Sequence, residues 1–301
     1  MTQRKLISFD WAMKKMLRSK ANFDILEGFL SELLSDDIKI LEILESESNK
    51  SYDNDKFNRV DLLVKSKDDS IIIIELQYDY EYDFMLRMLY GTSKIVTEHM
   101  KQGAPYSEVK KVISINIVYF DLGQGKDYVY KGTTNFIGLH EKDELQLSQI
   151  QKDKLKRESI YQLYPEYYLL KINNFNDFAK NTLDEWIYFL KNEEIKPEFK
   201  AKGLKEAKDK LDIMKLSGSD LQSYNRHREN LHYAASMAES VKIEAEEKIW
   251  KKGLVEGEKL GLEKGEKLKA IKIAKNCLEK KMDYDTISFL TGLSVEEIRG
   301  L

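Results

Sequence analysis

The stretch Asp61-Leu62-Leu63-Val64-Lys65-Ser66-Lys67-Asp68-Asp69-Ser70-Ile71-Ile72-Ile73-Ile74-Glu75-Leu76-Gln77 decides how this chain folds. Before its polar turn, Phe57 to Val64 alternates loosely between apolar and polar residues. After the turn, Ile71 to Gln77 is short, β-branched and almost entirely apolar, the signature of a central strand covered on both faces. A five-residue loop centred on Asp68 sets an antiparallel register in which Asp61 lies opposite Glu75. Opposed side chains share a face, with Cβ atoms roughly 4.5–5.5 Å apart. Glu75 and Gln77 are two apart and share that face as well. A slip of one residue would send Asp61 to the other face, so this geometry is an expectation that the register must meet.

Two carboxylates side by side repel, and burial raises their pKa values. Folding gains nothing from that arrangement, whereas a divalent cation resolves it. Mg²⁺ prefers hard oxygen ligands, commonly one or two carboxylates completed by waters and substrate phosphate. It can acidify a water and stabilise charge at a phosphodiester. The alternative is an ordinary hairpin with solvated acids at its ends.

Outward from this hairpin, Phe9 to Leu34 has helical periodicity in two parts and ends at Ser35-Asp36-Asp37. Ile38 to Leu44 is a candidate strand. Tyr80 to Lys101 is an amphipathic helix, with Phe84, Met88, Ile95 and His99 on one face and Gly103-Ala104-Pro105 as its stop. Val112 to Phe120 is a further buried strand, with Tyr128 to Leu139 and Glu166 to Ile172 as weaker ones. This order predicts an α/β core with mixed strand directions. Beyond about Asn181 the chain becomes helical and highly charged, with a boundary near Pro197. The expected domains are 1–195 for the α/β core and 196–301 for a helical tail.

The chain has 301 residues, 42% apolar and 34% charged, with only three prolines, so it can build a sizeable core and is not disordered. A single cysteine, Cys277, excludes an internal disulfide framework and suits a reducing compartment. The N-terminus lacks the apolar core of a signal peptide, and the longest aliphatic run is far short of a membrane span. A cytoplasmic protein is expected. The net charge of −3 weighs against broad nucleic-acid affinity, so any basic surface must be local.

The tail carries Gly253, Gly257, Gly261 and Gly265, spaced four apart. Each costs a helix about 1 kcal/mol relative to alanine, which suggests close approach to another helix, or a hinge. Homo-oligomerisation through the tail follows as a hypothesis. The chain closes with a helical hairpin, Tyr284 to Leu301, in which Ser294 and Glu297 have capping-box spacing. Glu296 and Glu297 against Arg299 give its last helix the wrong charge for the major groove, so a protein contact is expected there. His99, His140, His227 and His232 have no metal-ligand spacing.

The pattern Asp61…Ile-Ile-Ile-Ile-Glu75-Leu-Gln77 resembles motifs II and III of the PD-(D/E)XK nucleases. More narrowly, the chain resembles the Rpn (recombination-promoting nuclease) family, grouped with transposases. Phe9-Asp10-Trp11-Ala12-Met13-Lys14 is similar to that family's start, and Arg87 and Tyr90 to its Arg-x-x-Tyr. Tyr106 before the Val112 strand, the glycine run and the ending Ile-Ser-Phe-Leu-Thr-Gly-Leu-Ser-Val-Glu-Glu-Ile also fit. The resemblance implies a restriction-endonuclease-like core, a mixed central sheet flanked by helices. It further implies DNA cleavage dependent on Mg²⁺ or a similar ion such as Mn²⁺, linked to recombination or mobile elements.

Under it, Asp61, Glu75 and the Leu76 backbone carbonyl hold the metal. Gln77 stands where the superfamily has lysine; it cannot act as a base at neutral pH, but it can orient the attacking water. Asp10 is a candidate accessory acid or a helix cap, with Glu27 as its rival. Arg87, Tyr90 and Lys94 form one helical row able to hold phosphates, with Lys14 and Lys15 as further candidates. A non-catalytic interaction protein that kept the fold, and a nuclease acting on RNA, are the alternatives.

Overall fold

The computed structural model describes residues 6–44 and 61–301, apart from the side chains of Lys14 and Met214. Residues 57–60 of the expected strand therefore lie outside the described residues. The chain forms two compact units, residues 1–225 and 226–301.

In the first unit, β1 (Ile40–Ile43), β2 (Leu62–Ser66), β3 (Ile71–Gln77), β4 (Val112–Val118), β5 (Val129–Gly132) and β6 (Glu166–Lys171) form one sheet, ordered β1-β2-β3-β4-β6-β5. β1 pairs antiparallel with β2 and β2 with β3, β4 and β6 run parallel to β3, and β5 closes the far edge antiparallel to β6. The mixed directions are those expected. β2 and β3 pair Leu62 with Ile74 and Lys65 with Ile71, the register that a turn centred on Asp68 dictates. Within that turn the Ser66 N–H donates to the Ser70 carbonyl at 2.9 Å, and Asp68 accepts from both serine hydroxyls.

The isoleucine run is explained by its two covers. Ile72, Ile74 and Leu76 enter the main core with α1 (Phe9–Lys15), α2 (Phe23–Leu34) and α5 (Thr182–Asn192). There Phe9, Phe29, Trp186 and Phe189 meet edge-on or tilted, with ring centroids 5.5–6.3 Å apart. Ile71 and Ile73 face the opposite way, packing with Leu63, Val112 and Ile95 of α3 (Phe84–Glu98). Since strand residues two apart share a face, Glu75 and Gln77 project to the α3 side. α4 (Gln149–Leu155) lies on the connection between β5 and β6.

The first unit ends later than the expected boundary at 195. Leu204 and Ala207 of α6 (Leu204–Lys210), and Leu211 after it, are buried in the main core, and Trp186 Nε1 donates to the Lys202 carbonyl at 3.0 Å. Gly28 of α2 and Gly203 make a backbone contact: a Cβ on Gly28 would stand 2.3 Å from the Lys202 oxygen. The charged outer face of α6 disguises this packing in the sequence, and the segment at Pro197 is a loop within the unit.

α7 (Gly218–Glu279) leads into the second unit, which closes with α8 (Tyr284–Thr291) and α9 (Val295–Arg299). Ala274, Ile287, Leu293 and Ile298 are the buried centre of this small three-helix end, with Cys277 packed against it. Gly292 ends α8 in the left-handed region (φ 70°), and Ser294 and Glu297 make the predicted capping box. Among the described residues, no helix is long and apolar enough to cross a membrane.

Candidate active site

The register that pairs Leu62 with Ile74 brings Asp61, the residue before β2, beside the end of β3. The hydrogen-bond phase of β3 explains what it does there. Ile71 donates to the Lys111 carbonyl and the Gln77 carbonyl accepts from Tyr119, so the odd-numbered residues address β4. Even-numbered residues then address β2, whose described part begins at Leu62. The Leu76 N–H lies beyond that ladder, and Asp61 Oδ2 accepts from it at 2.9 Å. N–H and C=O of one strand residue point the same way, so the Leu76 carbonyl also looks toward the Asp61 side. Arg18, just beyond α1, donates to the Asp61 backbone carbonyl at 2.6 Å and ties this corner down.

Glu75 points under α3 with its side chain 15% exposed. Arg87 of α3 donates one guanidinium nitrogen to Glu75 and the other to Glu81, the latter at 2.8 Å. Burial pushes the Glu75 carboxyl up to about 7; Arg87 pulls it down, and the neighbouring Asp61 charge pushes it up again. The acid pair is thus a net electrostatic burden that one guanidinium only partly offsets. Gln77 Nε2 reaches the Asp79 carbonyl at 3.3 Å.

Across the parallel ladder, Glu75 pairs with Asn116, which is buried and donates to the Ser114 hydroxyl at 2.9 Å. α3 lays Phe84, Thr92 and Ile95 against the sheet, and the buried Thr92 hydroxyl has no hydrogen-bond partner among the described residues. Sequence reasoning missed Arg18, Glu81 and Asn116. Only Asn116 left a signal, since Ser114 and Asn116 are the sole polar residues in Val-Ile-Ser-Ile-Asn-Ile-Val.

The donor set suits a hard divalent cation: two opposed carboxylates, one of them destabilised in its charged form, with a carbonyl directed to the same side. Among the described residues no three of His, Cys, Asp and Glu form a metal cage. Such a site would complete its shell with waters and phosphate, as Mg²⁺ sites commonly do.

A family model described as "PD-(D/E)XK nuclease family transposase" matches residues 7–240. The chain belongs to this family. Membership in the PD-(D/E)XK nucleases supports a nuclease role and the use of a divalent metal, and the mixed sheet with flanking helices fits the restriction-endonuclease-like fold. A second model, "Rpn/YhgA-like nuclease family, C-terminal HTH domain", matches residues 267–301. This corrects the expectation of a mere protein contact at the terminal hairpin: α8, the turn at Gly292 and α9 belong to a helix-turn-helix domain. No curated protein and no solved structure shows significant similarity to the chain.

Within this PD-(D/E)XK chain the other predicted residues divide. Asp10 is buried in the first turn of α1 rather than at its cap, which is Ser8. Its charge adds to burial in raising the Tyr78 phenol. Tyr78 stacks on Tyr119 at 4.3 Å and packs on the main core, the face opposite Glu75. Glu27 accepts from Lys39 and from the Ile40 N–H, both at 2.9 Å, and so anchors β1. Tyr90 is exposed, and Lys94 pairs with Glu98 at 3.7 Å. Lys15 is exposed. The Lys14 side chain lies outside the described residues.

Proposed function

We propose that this chain is a metal-dependent DNA endonuclease hydrolysing phosphodiester bonds, with a role in recombination or mobile elements. The observation that carries it is the opposed Asp61–Glu75 pair, whose Glu75 carboxyl burial drives up to about 7. A site that disfavours its own charge in the absence of a cation is a site made to receive one. Asp61, Glu75 and the Leu76 carbonyl hold Mg²⁺, with Mn²⁺ as a substitute. When bound, the ion acidifies a water and offsets charge on the scissile phosphate.

The chain's own residues do the rest. Asp61 fixes the Leu76 backbone by its 2.9 Å hydrogen bond and so aims the Leu76 carbonyl. Gln77, neutral at all working pH values, orients the attacking water by hydrogen bonds. Tyr90, Lys94 and Arg87, in one row along α3, meet the phosphates; Lys14 has the same proposed role. The helix-turn-helix match at 267–301 supports DNA as the partner. A second copy of the chain is the partner proposed for α7, where Trp250, Leu254, Leu262 and Leu268 are exposed beside the four glycines. A single cysteine, the half-buried Cys277, suits a reducing compartment such as the cytoplasm.

A second reading, a catalytically inactive interaction or regulatory protein, draws on Gln77 in the place of the superfamily lysine. Nicking of supercoiled plasmid in Mg²⁺, Mn²⁺ and EDTA decides between them, with Asp61→Ala and Glu75→Ala alongside. Metal-dependent nicking lost in both variants supports the nuclease. Equal activity in the variants refutes this site, and no cleavage by folded protein favours the inactive reading.

A further inference from the structure

Arg87 divides its guanidinium between two acids instead of gripping one. Planar bidentate pairing is the stronger and commoner arrangement for arginine and carboxylate. Here one nitrogen bonds Glu75 and the other bonds Glu81 at 2.8 Å, with the three side chains 15–27% exposed. The guanidinium also lies 5.8 Å from the centroid of the Phe84 ring, which supports it from one side. Glu81 stands in the loop between β3 and α3, and its carbonyl accepts from the Phe84 N–H at 3.3 Å, so its backbone is tied to the start of the helix.

Resting on the proposed metal site at Asp61 and Glu75, we infer that Glu81 is a positioning residue that holds Arg87 ready to leave Glu75 when a divalent cation enters. In the cation-free protein Arg87 is the counter-ion of Glu75. A dication beside the same carboxylate repels the guanidinium, so the two compete for Glu75. A guanidinium bonded to Glu75 alone would have to give up its whole partner set. Glu81 gives it a second partner already in contact, so release from Glu75 is a pivot about the Glu81 bond. After that pivot Arg87 still lies beside the site, free to donate to an incoming phosphate with the nitrogen it withdrew from Glu75.

The test is Mn²⁺ affinity, read at pH 8.5 by electron paramagnetic resonance without DNA, for wild type, Glu81→Gln, Arg87→Gln and the double variant. Glu81→Gln strands Arg87 on Glu75 and weakens Mn²⁺ binding by about three- to tenfold, the scale of coupling between contacting charges. Arg87→Gln removes the competitor and tightens it. In the Arg87→Gln background the Glu81 substitution has little further effect, because Glu81 acts through Arg87. Equal weakening by Glu81→Gln with and without Arg87 overturns the inference, since it marks a simple loss of negative charge. No effect of Glu81→Gln on a wild-type protein that binds Mn²⁺ and nicks DNA overturns the inference alone. No Mn²⁺ binding by wild type overturns it together with the proposed function. Glu81 is about a quarter exposed, and matched melting curves establish that its variant is folded.

Discussion

Replacing Glu75 by glutamine should stabilise the metal-free protein at alkaline pH. The Glu75 carboxyl rises from its ordinary 4.5 to about 7 in the fold, chiefly through burial. Between those values the native state holds a proton that the unfolded chain has released, so stability falls as pH rises through that window and stays lower above it. At about 1.4 kcal/mol per pH unit, the gap between 4.5 and about 7 amounts to about 3 kcal/mol. The side chain is only 15% exposed, so solvent screening trims this little. Glutamine imitates the protonated acid and escapes the cost. For a folding unit of this size, about 2–4 °C per kcal/mol gives a variant melting about 6–12 °C above wild type at pH 8.5. Near pH 4.5 the two should melt together. Thermal unfolding followed by circular dichroism in EDTA from pH 4.5 to 8.5 measures this, and Mg²⁺ added at pH 8.5 should raise wild type but not the variant. A pH-independent offset, or a variant melting at or below wild type at pH 8.5, refutes the claim that this acid pair is held against its own electrostatics.

Other substitutions probe the frame around the site. Gly28→Ala drives a Cβ to 2.3 Å from the Lys202 oxygen and 2.6 Å from Gly203 Cα, both backbone; it should cost about 3 kcal/mol, read as a lowered urea midpoint at unchanged slope. Glu27→Ala removes the acceptor of Lys39 and of the Ile40 N–H and should cost about 2 kcal/mol, with hydrogen exchange at Ile40 rising first. The double change Gly257→Leu, Gly261→Leu should turn a self-associated wild type monomeric in sedimentation equilibrium; a wild type that is already monomeric across a wide concentration range removes the proposed tail contact. Alanine at the same two glycines meets nothing within 4 Å in a single chain, so there it should raise helix stability by about 1 kcal/mol per site.

Local pattern made the hairpin legible. An apolar β-branched run, a polar turn and one register were enough to set Asp61 against Glu75, because the period of two leaves only one alternative and that one buries Asp61 on the wrong face. The α3 periodicity likewise gave Phe84 and Ile95 as core residues. What stayed hidden depends on contacts distant in sequence. Lys202 against Gly28 and Arg18 against Asp61 join segments that no periodicity relates. The helix row that makes Arg87 a candidate phosphate ligand is visible in the sequence, whereas its bonds to Glu75 and Glu81 require the β3–α3 loop to fold back. Asp10 has the composition of an accessory acid, yet α1 packs on the main-core face, opposite the one that Glu75 occupies.

The terminal helices teach the same lesson about charge. Counting Glu296 and Glu297 against Arg299 made α9 look repellent to DNA. In the structure Glu297 is a capping residue: it accepts from the Ser294 N–H at 3.0 Å and from Lys267 at 2.9 Å. Those bonds, Lys267 first, hold its carboxyl down at about 2, so it stays ionised but neutralised by its lysine. The charge surrounding α9 is also not that of the whole chain. Residues 267–301 hold seven Lys and Arg against five Asp and Glu, a balance of +2 within a chain of −3. Lys269, Lys272 and Lys275 are exposed at spacings of three along the end of α7, a row that lies on one side of a helix. Phosphate contact depends on where cations stand, because counterions are released only at the surface touched. The weakly acidic total therefore sets no limit on a module whose own surface is basic, and the acidic balance belongs to residues 1–266, where carboxylates are what a cation site requires.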